Sequence, residues 1–224
     1  MHLSEPALLL LTGLVLGMRH AFDRDHVAAV THFISLEPDP LKSAWFGLRW
    51  ALGHALTVLS LGSAVILLKL KFDPAFERYA ELAVGVSLIV LGIWRLGLLI
   101  QDRWHAHLHR HETERHLHRH THDPAKPHVH FLAPTFVGMV HGASGTAEVF
   151  VLIPLTLMAS RGLAYLYIGL FSAGCAITMS GYGYLAGRFY RRAIERGQRL
   201  YRILVTVTSI VGILLGVFWI LRNL

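Results

Sequence analysis

Six ionisable side chains lie within eight consecutive positions of an otherwise apolar segment. The segment reads "GMRHAFDRDHVAAV" over 17–30, and residues 6–18 before it carry no charged side chain. Ionisable groups are costly inside a bilayer and usually mark a site there. Imidazole nitrogens and carboxylates together suit a divalent first-row transition metal. The motif therefore predicts a metal site, with an ion-pair cluster at a helix end as the alternative.

The expected ligands of this motif follow from helical geometry. At 3.6 residues per turn, His20, Asp23 and His26 lie within about one third of the circumference of a regular helix. Asp25 points elsewhere on such a helix. It becomes a ligand only if the helix is broken there, and otherwise it holds an imidazole N–H or pairs with a neighbouring arginine.

Further ionisable residues interrupt two later apolar segments. His54 lies in the uncharged run 50–68, where the alternative to a ligand is a hydrogen bond to a neighbouring helix. In "GMVHGASGTAEVF", His141, Ser144 and Glu148 share one face of a helix. His54, His141 and Glu148 are candidate ligands, although Glu148 could instead accept a proton or pair with an interior arginine.

Histidine is also concentrated outside the apolar segments. Residues 105–130 hold ten of the sixteen histidines and predict a flexible metal-handling tract, with a solvated linker as the alternative. Met1 and His2 offer an amine, an amide nitrogen and an imidazole, a set suited to square-planar Ni(II) or Cu(II). The single cysteine, Cys175, excludes an intrachain disulfide and favours a small apolar filler over a ligand.

Composition predicts an all-α polytopic membrane protein. Hydrophobic residues make up 54% and charged residues 16% of the 224 residues. The stretches 50–68, 162–187 and 203–221 carry no Asp, Glu, Lys or Arg, and a membrane helix needs about 20 such residues. Six transmembrane helices are expected, at about 6–34, 45–69, 79–100, 131–158, 163–187 and 201–221. They divide the chain into a first three-helix repeat (1–100), a His-rich cytoplasmic loop (101–130) and a second three-helix repeat (131–224).

The basic residues predict the orientation of these helices. The loops 35–44, 101–130 and 188–200, together with Arg202, carry twelve Lys and Arg, against five on the opposite side. Basic residues accumulate on the cytoplasmic side, so both termini are expected outside and the His-rich loop inside. The net charge of +7 therefore indicates membrane orientation, and no nucleic-acid partner is expected.

A shift of 121 residues aligns the first two expected helices of each half, whereas the third helices agree less well and need a different shift, Gly92 onto Gly212. It matches Gly17, Met18 and His20 to Gly138, Met139 and His141, and Gly53, Ala55, Thr57 and Gly62 to Gly174, Ala176, Thr178 and Gly183. Each half has three spans, an odd number, so the second copy is expected to be inverted. Inverted repeats are typical of secondary transporters that bind substrate at the repeat interface. The alternative is that small residues recur because they let membrane helices pack closely.

These motifs resemble the nickel/cobalt transporter family and its six-span NicO/UreH-like relatives. The family pattern His-x4-Asp-His is met by His20, Asp25 and His26, its Gly-His pair by Gly53 and His54, and a later signature by "GTAE" over 145–148. The larger transporters carry an Asp before that signature and an Asp-rich motif where this chain has "GCAITMSGYG". Both departures favour the UreH-like branch. The resemblance implies movement of Ni²⁺ or Co²⁺ across a bacterial or archaeal cytoplasmic membrane.

The resulting hypothesis is a secondary permease, not an enzyme, for which the metal ion is the substrate and no cofactor is expected. Uptake is favoured, and efflux by the same fold is the alternative. A cytoplasmic metallochaperone is a candidate partner for the released ion. An intramembrane metalloenzyme is disfavoured because His-Glu-x-x-His is absent. A metal sensor or storage protein built on the His-rich tract is a further alternative.

Overall fold

The computed structural model is all-helical. It describes residues 5–69, 73–104, 132–144, 158 and 160–224, and no strand occurs within those segments. Seven helices are present there: α1 (Glu5–His20), α2 (Arg24–Leu36), α3 (Pro40–Leu68), α4 (Pro74–Trp104), α5 (Ala133–His141), α6 (Arg161–Arg196) and α7 (Gln198–Arg222).

Four of these helices, α3, α4, α6 and α7, are long and apolar enough to cross a membrane. Their outward faces are apolar as well. Leu52, Leu56 and Leu59 form an exposed stripe along α3, and Val86 and Val90 belong to a similar stripe on α4. Exposed apolar surface on this scale is typical of a membrane or partner interface. The helical class is therefore confirmed and a membrane protein is supported, whereas the count of six spans stays a prediction.

The first expected span, 6–34, is not one continuous helix. It is broken between α1, which ends at His20, and α2, which begins at Arg24. The carbonyl oxygen of His20 accepts the backbone N–H of Asp23 at 2.9 Å, which closes a turn in place of the next helical turn. The break changes the helical phase, so the expected common face of His20, Asp23 and His26 does not apply.

The other helix limits have local causes. The Asp39 carboxylate accepts the backbone N–H groups of Leu41 and Lys42, each at 3.0 Å, and α3 therefore begins at Pro40 rather than near 45. α6 continues to Arg196 and ends at Gly197, whose φ of 143° favours glycine. The segment 188–200, expected as a loop, is thus largely helical. α4 likewise extends to Trp104, past the expected boundary at 100.

Helices from the two halves of the chain lie with their backbones in close contact. A Cβ atom added at Gly17 of α1 would overlap the carbonyl oxygen of Phe171 in α6. A Cβ atom added at Gly138 of α5 would overlap the carbonyl oxygen of Trp50 in α3. These two contacts are related by the 121-residue shift, since Gly17 corresponds to Gly138 and Trp50 to Phe171.

A second pair of contacts follows the same relation. Gly174 of α6 lies against the carbonyl oxygen of Leu14 in α1, and Gly53 of α3 lies against the carbonyl oxygen of Thr135 in α5. Small residues allow such approach between membrane helices. The α1–α6 and α5–α3 pairs therefore pack in equivalent ways, each joining the first helix of one half to the central helix of the other.

Candidate metal centre

Two helices end at histidines that lie 121 residues apart. α1 ends at His20 and α5 ends at His141, 121 residues later. The C-terminus of a helix carries partial negative charge from its unpaired carbonyl groups, which favours a nearby cation. Broken helices place such ends at the ion sites of transporters. The local structure thus brings two negative helix ends to the positions of two candidate ligands.

Three imidazoles form the first potential ligand group, here called the His54 trio: His20, His26 and His54. One nitrogen from each lies within 4.8 Å of the others, and all three side chains are almost completely buried. The Nε2 atoms of His20 and His54 are 3.2 Å apart. The trio joins α1, α2 and α3, so it exists only because the break lets α2 turn His26 back towards His20.

A second group, here called the His141 trio, consists of Asp25, His26 and His141. Its ligand atoms also lie within 4.8 Å of one another, and the three residues are buried. The Asp25 Oδ2 atom is 3.4 Å from His26 Nε2 and 3.3 Å from His141 Nδ1. This trio joins the first half of the chain to α5 in the second half.

The hydrogen bonds indicate which ring nitrogen carries the lone pair in three of the histidines. The Ser87 hydroxyl donates its one hydrogen to the Val84 carbonyl oxygen at 2.7 Å, so it accepts from His141 Nε2 at 3.1 Å. In the neutral ring the lone pair of His141 is then on Nδ1, facing the Asp25 carboxylate. Two acceptors 3.3 Å apart repel each other unless a proton or metal cation lies between them.

The same reasoning applies to His26 and His20. His26 Nδ1 lies 3.2 Å from the carbonyl oxygen of His20, an acceptor, so Nδ1 carries the hydrogen and Nε2 the lone pair. His20 Nδ1 lies 2.9 Å from Asp23 Oδ2, and the carboxylate favours the hydrogen on that nitrogen. His20 therefore directs its Nε2 lone pair towards His54.

Two aromatic residues cover the histidines. The Trp50 ring centroid lies 4.6 Å from that of His26 and 5.8 Å from that of His141. Phe171 lies 5.3 Å from His20. The contacts of His141 with Trp50 and of His20 with Phe171 are again related by the 121-residue shift. These rings keep water from the imidazoles, which strengthens their electrostatic interaction with a cation.

A buried arginine fixes the far end of α2. Arg95 of α4 donates to Ser35 Oγ at 2.8 Å, to the Ser35 carbonyl oxygen at 2.9 Å and to the Tyr201 hydroxyl at 2.8 Å. Tyr201 of α7 also donates to the Ser35 carbonyl oxygen at 2.6 Å. A positive charge at the C-terminus of a helix is favourable. The short helix that carries Asp25 and His26 is therefore anchored to α4 and α7.

The remaining sequence candidates differ in position. Asp23, expected as a ligand, is one-third exposed and contacts His20 without joining either trio, whereas Asp25 joins one because the helix is broken. Cys175 packs in an apolar cluster, and Ser144 Oγ donates to the His141 carbonyl oxygen at 3.0 Å. Met1, His2, Glu148 and the tract 105–130 lie outside the described residues.

Two contributors to the site were not expected from the sequence. Ser87 sets the ring nitrogen that His141 offers, and Trp50 covers both trios. Serine is common in apolar helices, and nothing in "GVSLIV" distinguishes Ser87. Trp50 could have been suspected because it precedes His54 by four residues and therefore lies on the same side of the helix.

Comparison with known proteins finds similarity over nearly the whole chain. The chain is 28% identical over 211 residues to the urease accessory protein UreH of Bacillus sp. (strain TB-90), covering 94% of this chain and 90% of that protein. It is 26% identical over 209 residues to the chloroplast protein FOR GROWTH AND FERTILITY 1 of Arabidopsis thaliana, covering 92% of this chain and 56% of that one. No family model and no solved structure matches. The first similarity agrees, at a coarse level, with the UreH-like motifs.

Proposed function

We propose that the protein is a secondary permease that carries Ni²⁺, with Co²⁺ as the alternative substrate, inward across the cytoplasmic membrane. The observation that best supports this proposal is the convergence of four buried histidines and Asp25 at the break between α1 and α2. Four imidazoles and one carboxylate form a donor set suited to a divalent transition metal. The similarity to a urease accessory protein supports a nickel-related transport or accessory role.

The energetics of the buried groups favour a cation as their partner. Burial removes water from a carboxylate at a cost of several kcal/mol. This cost is offset only if a counter-charge or hydrogen-bond donors take the place of the water. Asp25 faces two imidazole nitrogens, and the hydrogen-bond pattern gives both of these nitrogens a lone pair. A divalent ion satisfies all three atoms together. Binding of the ion therefore lowers the free energy of these buried groups.

The equivalent packing of the two halves supports alternating access. The contact of Gly17 with Phe171 and that of Gly138 with Trp50 match under one shift, which agrees with a repeated three-helix unit. In such transporters, one set of helices rocks against the other around a fixed site. Here the two helix pairs, α1–α6 and α5–α3, are the candidate moving units, and the site lies where the histidine-bearing ends of α1 and α5 meet.

Membrane potential favours inward movement. Carrying two charges through 100 mV is worth about 4.6 kcal/mol, at ~2.3 kcal/mol per charge. Outward movement would need proton exchange or another source of energy. In the proposed orientation, the His-rich tract 105–130 receives the ion on the cytoplasmic side, where a metallochaperone can collect it.

Uptake of radioactive nickel into proteoliposomes under an imposed inside-negative potential tests the proposal. We expect uptake by the unaltered protein and near-background uptake by His20→Ala and His54→Ala. His32→Ala is the matched control because His32 is a buried histidine on α2 that belongs to neither trio. Its Nδ1 bonds to the Ala28 carbonyl oxygen at 2.6 Å. Absence of uptake by the unaltered protein, or equal uptake by all variants, refutes the permease.

A further inference from the structure

His26 belongs to both trios, and this sharing restricts how an ion can occupy them. The five ligand residues do not form one group with every ligand atom within 4.8 Å of the others; they form two groups of three that meet at His26. Ligand atoms around one transition-metal ion lie about 2.0–2.2 Å from it, so they are at most ~4.4 Å apart. The geometry therefore describes two adjacent coordination positions.

The shared imidazole has one lone pair to offer. His26 Nδ1 carries a hydrogen towards the His20 carbonyl oxygen, which leaves Nε2 as its metal-binding atom. One nitrogen lone pair binds one ion at a time. Occupancy of the His54 trio and occupancy of the His141 trio are consequently exclusive, and an ion that moves between them can keep its bond to His26.

We propose that the ion is handed between two overlapping positions, the His54 trio and the His141 trio, with His26 bound to it throughout. This inference rests on the proposed transport function and specifies its site. Retaining one ligand during the transfer avoids full rehydration of the ion between the two positions. The passage is thus a short exchange of two ligands for two others.

The two positions differ in their helix end and in their charge. His20 at the end of α1 belongs to the first, and His141 at the end of α5 belongs to the second. These histidines are repeat partners, so each half of the chain contributes one helix end to one position. The His54 trio is made of three imidazoles, whereas the His141 trio includes the Asp25 carboxylate. The transfer therefore moves the ion between the C-terminus of α1 in the first half and the C-terminus of α5 in the second half.

The test measures equilibrium nickel binding to the full-length protein in detergent, with the ten histidines of 105–130 and His2 replaced by Asn to remove other imidazoles. We expect one Ni²⁺ per chain in this background. His54→Ala and His141→Ala should each retain one bound ion with an affinity within about tenfold of the background, a change of ~1.4 kcal/mol. His26→Ala should lose binding, and His32→Ala should bind as the background does.

X-ray absorption then identifies the position that remains occupied. We expect two imidazoles and a carboxylate around nickel in His54→Ala, and three imidazoles in His141→Ala. Both variants should nevertheless lose uptake in proteoliposomes, because transfer needs both positions. Loss of binding in either variant, as in His26→Ala, would show a single five-ligand site and overturn the handover. Two ions bound at once in the background would overturn the exclusive sharing of His26.

These outcomes are separate from failure of the permease. If the unaltered protein takes up nickel but His54→Ala and His141→Ala both lose binding, the transport function stands and the two-position site is wrong. If the unaltered protein binds nickel without uptake, the permease itself is wrong. Circular dichroism and size-exclusion profiles that match the background establish that each variant is folded.

Discussion

Ser87 should control nickel affinity without touching the ion. Its hydroxyl accepts from His141 Nε2 at 3.1 Å, because its own hydrogen goes to the Val84 carbonyl oxygen. Ser87→Ala removes the acceptor. The His141 ring then either leaves a buried N–H without a partner or moves its hydrogen to Nδ1, where it donates to Asp25. In the second case the lone pair needed by the metal is lost until binding displaces the hydrogen.

The expected magnitude follows from this hydrogen bond. A buried donor left without a partner costs about 1–3 kcal/mol. At ~1.4 kcal/mol per factor of ten, this corresponds to roughly 5- to 150-fold in affinity. A separate comparison gives a similar range: mutating residues that orient metal ligands typically lowers metal affinity or activity by about 10- to 100-fold. We therefore expect nickel affinity at the His141 trio to fall by about 10- to 100-fold in Ser87→Ala.

The assay is calorimetric titration with nickel in the His54→Ala background, with the loop histidines and His2 replaced by Asn, where the His141 trio holds the ion alone. Ser87→Thr keeps the hydroxyl and should restore the affinity. Ser60→Ala is the matched control, because Ser60 is exposed and its hydroxyl bonds only to the Leu56 carbonyl oxygen within the described part of the chain. Affinity of Ser87→Ala within twofold of its parent would refute the assignment of the His141 tautomer.

Three other predictions concern packing, protons and the His-rich tract. Gly138→Ala should lower stability in detergent by about 1–3 kcal/mol, because its Cβ atom would overlap the Trp50 carbonyl oxygen. Gly169→Ala should instead stabilise α6 by up to ~1 kcal/mol, because no atom lies within 4 Å of the added Cβ. Equal melting-temperature shifts in the two variants would contradict the packing. Nickel binding should weaken on acidification, because protonation of imidazole removes the lone pair that binds metal; a rise on acidification, measured by equilibrium dialysis, would contradict histidine ligation. Replacing the ten histidines of 105–130 with Asn should leave uptake in place with altered affinity, whereas complete loss of metal binding would locate the working site in the tract.

The helical class could be predicted with more certainty than the geometry of the site. Apolar runs such as 50–68 and 203–221 have few stable structures other than helices, and α3 and α7 cover them. The prediction of one continuous helix over 6–34 was wrong. Residues 21–23 contain neither Gly nor Pro, and the local signal for a new helix is limited to Asp23, a residue type that favours the N-cap position it takes before α2. It forms where the His20 carbonyl oxygen accepts both Asp23 N–H and His26 Nδ1.

Asp23 and Asp25 show how much depended on that break. Helical spacing favoured Asp23, yet Asp25 faces His26 and His141 because α2 begins a new helical phase after the turn. Asp25 was expected to be a ligand only if the helix were broken, and the structure has this break. Whether Asp25 binds metal stays a prediction, as do the roles of Met1, His2 and Glu148.

The sequence alone determined the residue types available for chemistry and the apolar segments that become helices, because composition and periodicity are local properties. Comparing the two halves also showed the 121-residue relation. Only the tertiary structure decided which lone pairs face one another. Ser87 of α4 meets His141 of α5, and His54 of α3 meets His20 of α1, so each contact joins two different helices. Such convergence depends on contacts between segments far apart in the chain, for which spacing along one helix carries no information.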